Sequence, residues 1–118
     1  MTHLPLRVAA ASLALIAGQA LGQQGEAAPS SARQAELVRM VRQDCGSCHG
    51  LKLTGGLGPA LTQDALRDIA QDSLVATIFH GRPGTPMPGW KTMISEADAV
   101  WIAQQLQAGF PLEKHAKP

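Results

Sequence analysis

An all-α domain is what this sequence predicts, and three observations predict it. Apolar residues recur at helical spacing in stretches that open on capping residues and close on glycine. No stretch carries a convincing strand alternation. The chain is also short: of its 118 residues, under a hundred remain once an N-terminal export segment is set aside, which is enough for one domain.

The export segment comes first. Met1 to Arg7 is a short leading region with one firm positive charge, Arg7, and Val8 to Ala17 is an apolar run rich in alanine and leucine. Ala20-Leu21-Gly22 offers the small residues that a signal peptidase reads, so cleavage is expected after Gly22, with Ala20 the alternative. The rival reading is an uncleaved anchor, but the run is about half of the ~20 residues a membrane span needs. Residues 1–22 are therefore read as a signal peptide, and 23–31, rich in Gln, Gly, Ala, Pro and Ser, as a flexible lead-in. The domain is expected over 32–110, followed by a solvated tail at 111–118.

The first helix is expected from Ala32 to about Asp44. Ser31 is its expected cap, Gln34 completes a capping box, and Leu37, Val38 and Val41 form the apolar stripe. Met40 lies beside that stripe and reads as core packing. A short helix should follow Thr62 with Leu66 and Ile69 inward, and another should begin near Asp72-Ser73, carry Leu74, Val75, Ile78 and Phe79, and stop at Gly81. The last helix is capped by Ser95, with Asp98 closing a capping box. It carries Val100, Trp101, Ile102 and Leu106 and ends before Gly109 and Pro111. Trp101 is expected against the first helix.

The chemistry lies between the first two helices, in Cys45-Gly46-Ser47-Cys48-His49. Two cysteines three positions apart, followed at once by histidine, form the attachment signature of c-type haem. Each thiol adds across one vinyl group as a thioether, and the turn between them presents His49 to the iron from one face. Zinc would need a second ligand pair, yet there is no other cysteine, and His80 and His115 lie far downstream. A redox dithiol would need a βαβ context, and a disulfide across two residues would be strained and close almost no loop. With two Phe, two Trp and no Tyr, the chain has few large side chains for a core. A covalently held haem c would be its largest apolar body, a staple of the kind small domains need.

Two loops complete the expected site. Gly50 to Pro59 contains glycines that let the backbone wrap close to a flat ring, and its Gly58-Pro59 corner is placed to supply a carbonyl to the second ring nitrogen of His49. In Pro86-Met87-Pro88 a methionine sits in a stiff, polar loop where core packing explains it poorly. Its thioether is a soft donor, and Met/His ligation raises haem potential. Met87 is thus the expected second metal ligand beside His49, with Met93 the fallback, while His80 and His115 are not expected to ligate. Trp90 is placed to cover the haem edge, its indole N–H available to a propionate.

Cys45-x-x-Cys48-His49, then Gly58-Pro59, then Pro86-Met87-Pro88, between first and last helices, resembles class I cytochrome c over about Ala32 to Gly109. Within it, Gly-Gly-Leu-Gly-Pro-Ala-Leu after the haem motif and Gly-Arg-Pro-Gly-Thr-Pro-Met-Pro before Trp90 look like the small periplasmic cytochromes called c55X, which accompany the cytochrome cd-type nitrite reductase of denitrifying bacteria. The resemblance implies Cys45 and Cys48 as thioether sites, His49 and Met87 as axial ligands, and the Pro59 carbonyl as acceptor for the His49 ring N–H. It implies a periplasmic one-electron carrier with no catalytic residues. Its partners would be nitrite reductase and a respiratory-chain donor, and an accessory role in d-type haem maturation or assembly of that reductase is the alternative. Of ten basic residues, loss of Arg7 with the leader leaves nine against nine acidic. That balance argues against nucleic acid as a partner; a monomer with no membrane span after cleavage is expected.

Overall fold

A computed structural model of the chain describes residues 27–111. The expected leader at 1–22, most of the lead-in and the tail from 112 onward, His115 included, lie outside the described residues. Within them the structure is helical, with no strand, and no helix is long and apolar enough to cross a membrane.

Helix α1 spans Ser31–Met40. Its cap is Ser30, not Ser31: the Ser30 hydroxyl accepts from the Arg33 N–H at 3.3 Å. The cap lies one residue early, so the position three residues on is Arg33 rather than Gln34, and no capping box forms. The Gln34 amide instead donates to the Pro29 carbonyl at 2.8 Å. The helix also runs further than expected. A π-helical turn over Val41–Cys45 carries it into α2, Gly46–His49, so that one continuous helical stretch includes both cysteines and the histidine. The wider turn is marked by the Gly46 N–H, which donates to the Val41 carbonyl five residues back. Single π turns of this kind concentrate at functional sites, because the extra residue re-aims every side chain after it.

Helix α3, Gln63–Leu66, is capped by Thr62, whose hydroxyl accepts from the Ala65 N–H at 3.3 Å. Leu66 is buried as expected, but Ile69 is 40% exposed, because the helix closes at Leu66 and the turn after it points Ile69 outward. Helix α4, Gln71–His80, starts a residue earlier than expected. No side chain caps it, and Asp72 lies in its first turn where the helix dipole favours an acid. Helix α5, Glu96–Gln107, has the expected capping box: Asp98 N–H to Ser95 hydroxyl and Ser95 N–H to Asp98 carboxylate, both at 3.1 Å.

Helix α5 is the hub of the fold. Helices α3 and α4 pack against it, and its Ala99, Trp101, Ile102, Ala103 and Leu106 join Leu37, Val41, Leu53, Leu66, Leu74 and Ile94 in one apolar cluster. Trp101 is buried in the same cluster as Leu37 and Val41 of the first helical stretch, and meets Phe110 edge to face, with ring centres 6.5 Å apart. Two arginines reinforce this small core. Arg42, on the π turn, lies over the Phe110 ring and donates to the Phe110 and Pro111 carbonyls at 3.1 and 2.9 Å, which fastens the chain after α5 to the first helix. Arg33, on α1, donates to Asp98 from Nε at 3.2 Å and from Nη2 at 2.8 Å.

Asp98 is 6% exposed. Burial pushes its carboxyl up, but the bonds from Arg33 and Ser95 outweigh that and hold it below the ordinary value of 3.8. A carboxyl held low gives stability that is fully present above the unfolded value and is lost as pH falls through the folded one. Asp98→Asn is expected to cost about 1 kcal/mol near neutral pH, discounted because Arg33 is partly solvated. It should also flatten the acid limb of a Tm-against-pH curve below about pH 4. Acid limbs that stay parallel in wild type and variant would show that Asp98 carries no such linkage.

Candidate functional site

The two cysteines sit one helical turn apart, Cys45 ending the π turn and Cys48 within α2. Neither is in a disulfide. Cys45 is half-buried against the core, and burial, helped by the neighbouring Asp44 charge, pushes its thiol up to about 11. It is therefore a protonated thiol at neutral pH. Cys48 is exposed. The Ser47 hydroxyl between them bonds back to the Asp44 carbonyl at 2.7 Å and keeps the turn closed.

His49 follows directly and is 8% exposed. Its Nδ1 lies 2.7 Å from the Pro59 carbonyl. A carbonyl can only accept, so Nδ1 carries a proton, and in the neutral ring the lone pair is on Nε2. Nε2 has no hydrogen-bond partner among the described residues. The loop that delivers Pro59 is laced to the helix end: Gly55 N–H to the His49 carbonyl and Gly58 N–H to the Cys48 carbonyl, both at 2.8 Å. Gly58 is required there for space. A Cβ at that position would stand 2.7 Å from Cε1 and Nδ1 of the His49 ring. Leu53 in the same loop has φ of 59°, a costly conformation for a bulky residue. Its burial in the core and the bonds Leu53 N–H to Gly50 carbonyl and Leu61 N–H to Leu53 carbonyl hold it there.

Met87 is half-buried in the loop between α4 and α5. The loop is closed on itself: the Arg82 N–H donates to the Met87 carbonyl at 3.2 Å, and the Thr85 hydroxyl donates to the Arg82 carbonyl at 2.7 Å. Its two limbs approach so closely at Gly81 that a Cβ there would stand 2.5 Å from the Gly89 nitrogen, and φ of 78° at Gly81 makes the turn. Trp90 is half-buried against the core, and its backbone N–H reaches the Ile78 carbonyl at 3.1 Å. Met93 is 55% exposed and His80 is exposed, its ring edge-on to Phe79. Leu61 and Ile78 are half-buried against the core, whereas Leu57 stands 95% exposed at the loop tip.

Two thiols on one helical turn, an imidazole with an oriented ring, and a thioether in a closed loop are the donor types that suit a covalently attached haem. Among the described residues no cluster of three or more His, Cys, Asp or Glu side chains could cage a metal ion. Arg33, Arg42 and Leu53 went unmarked in the sequence. Arg33 meets a partner 65 positions away, and no local pattern signals such a pair.

Comparison with known proteins gives a concordant result. The family model for the cbb3-type cytochrome c oxidase subunit III matches residues 32–105. Cytochrome c55X of Stutzerimonas stutzeri is 55% identical over 85 residues, which span 72% of this chain and 75% of that protein. The solved structure of a c-type cytochrome NirC matches with a TM-score of 0.67 at 56% identity, over 68% of this chain and 94% of that one. Dihydro-heme d1 dehydrogenase of Pseudomonas aeruginosa is 34% identical over 108 residues, 92% of this chain but 20% of that protein. With the attachment motif, the oriented histidine and these relatives in agreement, the chain belongs to the c-type cytochromes, in the family whose members are named cytochrome c55X.

Proposed function

We propose that this protein is a periplasmic mono-haem cytochrome that carries single electrons, with nitrite reductase as its acceptor and a respiratory-chain component as donor. The observation that carries the reading is the 2.7 Å bond between His49 Nδ1 and the Pro59 carbonyl. It orients the imidazole so that Nε2 would serve as a nitrogen donor to haem iron. Cys45 and Cys48 would hold the haem by thioether bonds, and His49 and Met87 would ligate its iron. Trp90 would cover the haem edge. Bound haem would supply a one-electron Fe(III)/Fe(II) couple whose potential the histidine–methionine pair raises. The protein's own part is to keep both ligand-bearing loops still, so that little rearranges between oxidation states. With His49 and Met87 both given to the iron, no position on it would remain for a substrate, which favours a carrier over an enzyme.

A second reading has its own support. Nearly the whole chain matches one fifth of a dihydro-heme d1 dehydrogenase, so a redox role in maturing d-type haem for that reductase fits the same site. A monomer suits either role.

Stopped-flow mixing of the reduced, haem-loaded protein with purified nitrite reductase distinguishes the two. The carrier reading expects transfer fast enough to sustain nitrite turnover, and a deletion strain that still makes mature reductase. Slow transfer together with a reductase lacking its d-type haem in the deletion strain would replace it with the maturation reading. At the ligand itself, Gly58→Ala should crowd the His49 ring and cost about 1–3 kcal/mol. It should lower the yield of haem-loaded protein and shift its potential, measured by redox titration. An unchanged potential and yield would mean that the Gly58 contact does not orient the imidazole.

A further inference from the structure

The part of the chain that carries Cys45, Cys48 and His49 and the part that carries Met87 are joined by little. Among the described residues a single hydrogen bond links residues 27–61 to residues 71–95. It runs from Arg33 Nη2 to the Met93 carbonyl, at 3.2 Å. Otherwise the two parts share only the apolar core. The same guanidinium donates from Nε and Nη2 to Asp98 Oδ2 and from Nη1 to Glu36 at 2.9 Å. Asp98 Oδ2 also accepts the Ser95 N–H. One planar fork thus grips the turn before α5 and the start of α5 together, which a point-charge cation could not do.

That turn is the far anchor of the methionine loop. The Met93 and Ile94 N–H groups both donate to the Trp90 carbonyl, at 2.8 and 3.1 Å. Trp90 and Lys91 in turn donate to the Ile78 and Phe79 carbonyls at the end of α4. Three residues before Trp90 stands Met87. The α4 bonds hold the loop within its own half, and only Arg33 holds it, by hydrogen bonding, to the half that bears His49.

We propose that Arg33 is a positioning residue for Met87: its bridge to the Met93 carbonyl and Asp98 holds the methionine loop to the histidine-bearing half and sets how readily the Met87 sulfur leaves the iron. This rests on the reading of Met87 as axial ligand.

The test is azide binding to the ferric, haem-loaded protein, followed by absorbance. At saturating azide the rate is limited by departure of the Met87 sulfur. Arg33→Leu, which removes the donors and keeps an apolar stem, should bind azide about tenfold faster, the size of effect a lost charge-assisted hydrogen bond allows. Arg33→Lys keeps the charge beside Asp98 but loses the fork, and should be faster than wild type by a smaller factor. It also serves if Arg33→Leu does not fold. Ser30→Ala removes the cap bond to the Arg33 backbone N–H but leaves the guanidinium and its partners in place, and should leave the rate unchanged. Amide exchange at Met93 and Ile94 should quicken in the Arg33 variants and not in Ser30→Ala. Rates in the Arg33 variants equal to wild type, or matched by Ser30→Ala, overturn the proposal. Met87→Ala separates the two claims. If it binds azide no faster than wild type, the ligand reading falls. If it binds at once while the Arg33 variants stay slow, only the role of Arg33 falls.

Discussion

The bond between His49 Nδ1 and the Pro59 carbonyl is the constraint on which the rest of the site depends. It fixes a tautomer, a ring plane and a direction for Nε2 in one contact. Much of the local structure serves it. The helical stretch runs through both cysteines to end on His49, the following loop returns its carbonyl ten residues later, and Gly58 leaves room where any side chain would strike the ring. Even the unfavourable backbone at Leu53 belongs to this arrangement, since it turns the chain so that Leu53 is buried and the loop comes back on itself.

A chain with so few large side chains cannot hold the His49 and Met87 segments in place by burial alone. Its apolar cluster includes two alanines among eleven residues. Polar contacts at long sequence separation supplement it. Arg42 fastens the chain after α5 to the π turn that carries Cys45, Gln107 ties α5 to the Leu66 and Ile69 carbonyls, and Arg33 bridges α1 to α5 and to the methionine loop. Each is a side chain on one element reaching another, so the packing of the helices and the placing of the loops are set by the same few groups.

Local chemistry made part of this legible in the sequence. The box of Ser95 and Asp98, the cap at Thr62 and the stop at Gly81 each need residues within a few positions of one another, and each stands where its spacing put it. The Gly58-Pro59 corner was readable for the same reason, because the carbonyl it supplies lies a short loop away from His49. Ser30 and Ser31 are both competent caps, and the choice between them turns on how the chain leaves Pro29, which composition does not encode. Ile69 follows the helical stripe on paper but lies past the end of a four-residue helix. The π turn over Val41–Cys45 has no residue signature, and the pairing of Arg33 with Asp98 exists only once α1 and α5 are brought together.

The central claim is that His49 and Met87 hold one iron between them. Proton NMR of the ferrous, haem-loaded protein tests it most directly, because a methyl group held over a porphyrin face is shifted far upfield by the ring current. The account predicts one methionine methyl singlet upfield of all other aliphatic signals, lost in Met87→Ala and retained in Met93→Ala. A spectrum without that singlet, or one in which it survives Met87→Ala and vanishes in Met93→Ala, would contradict it.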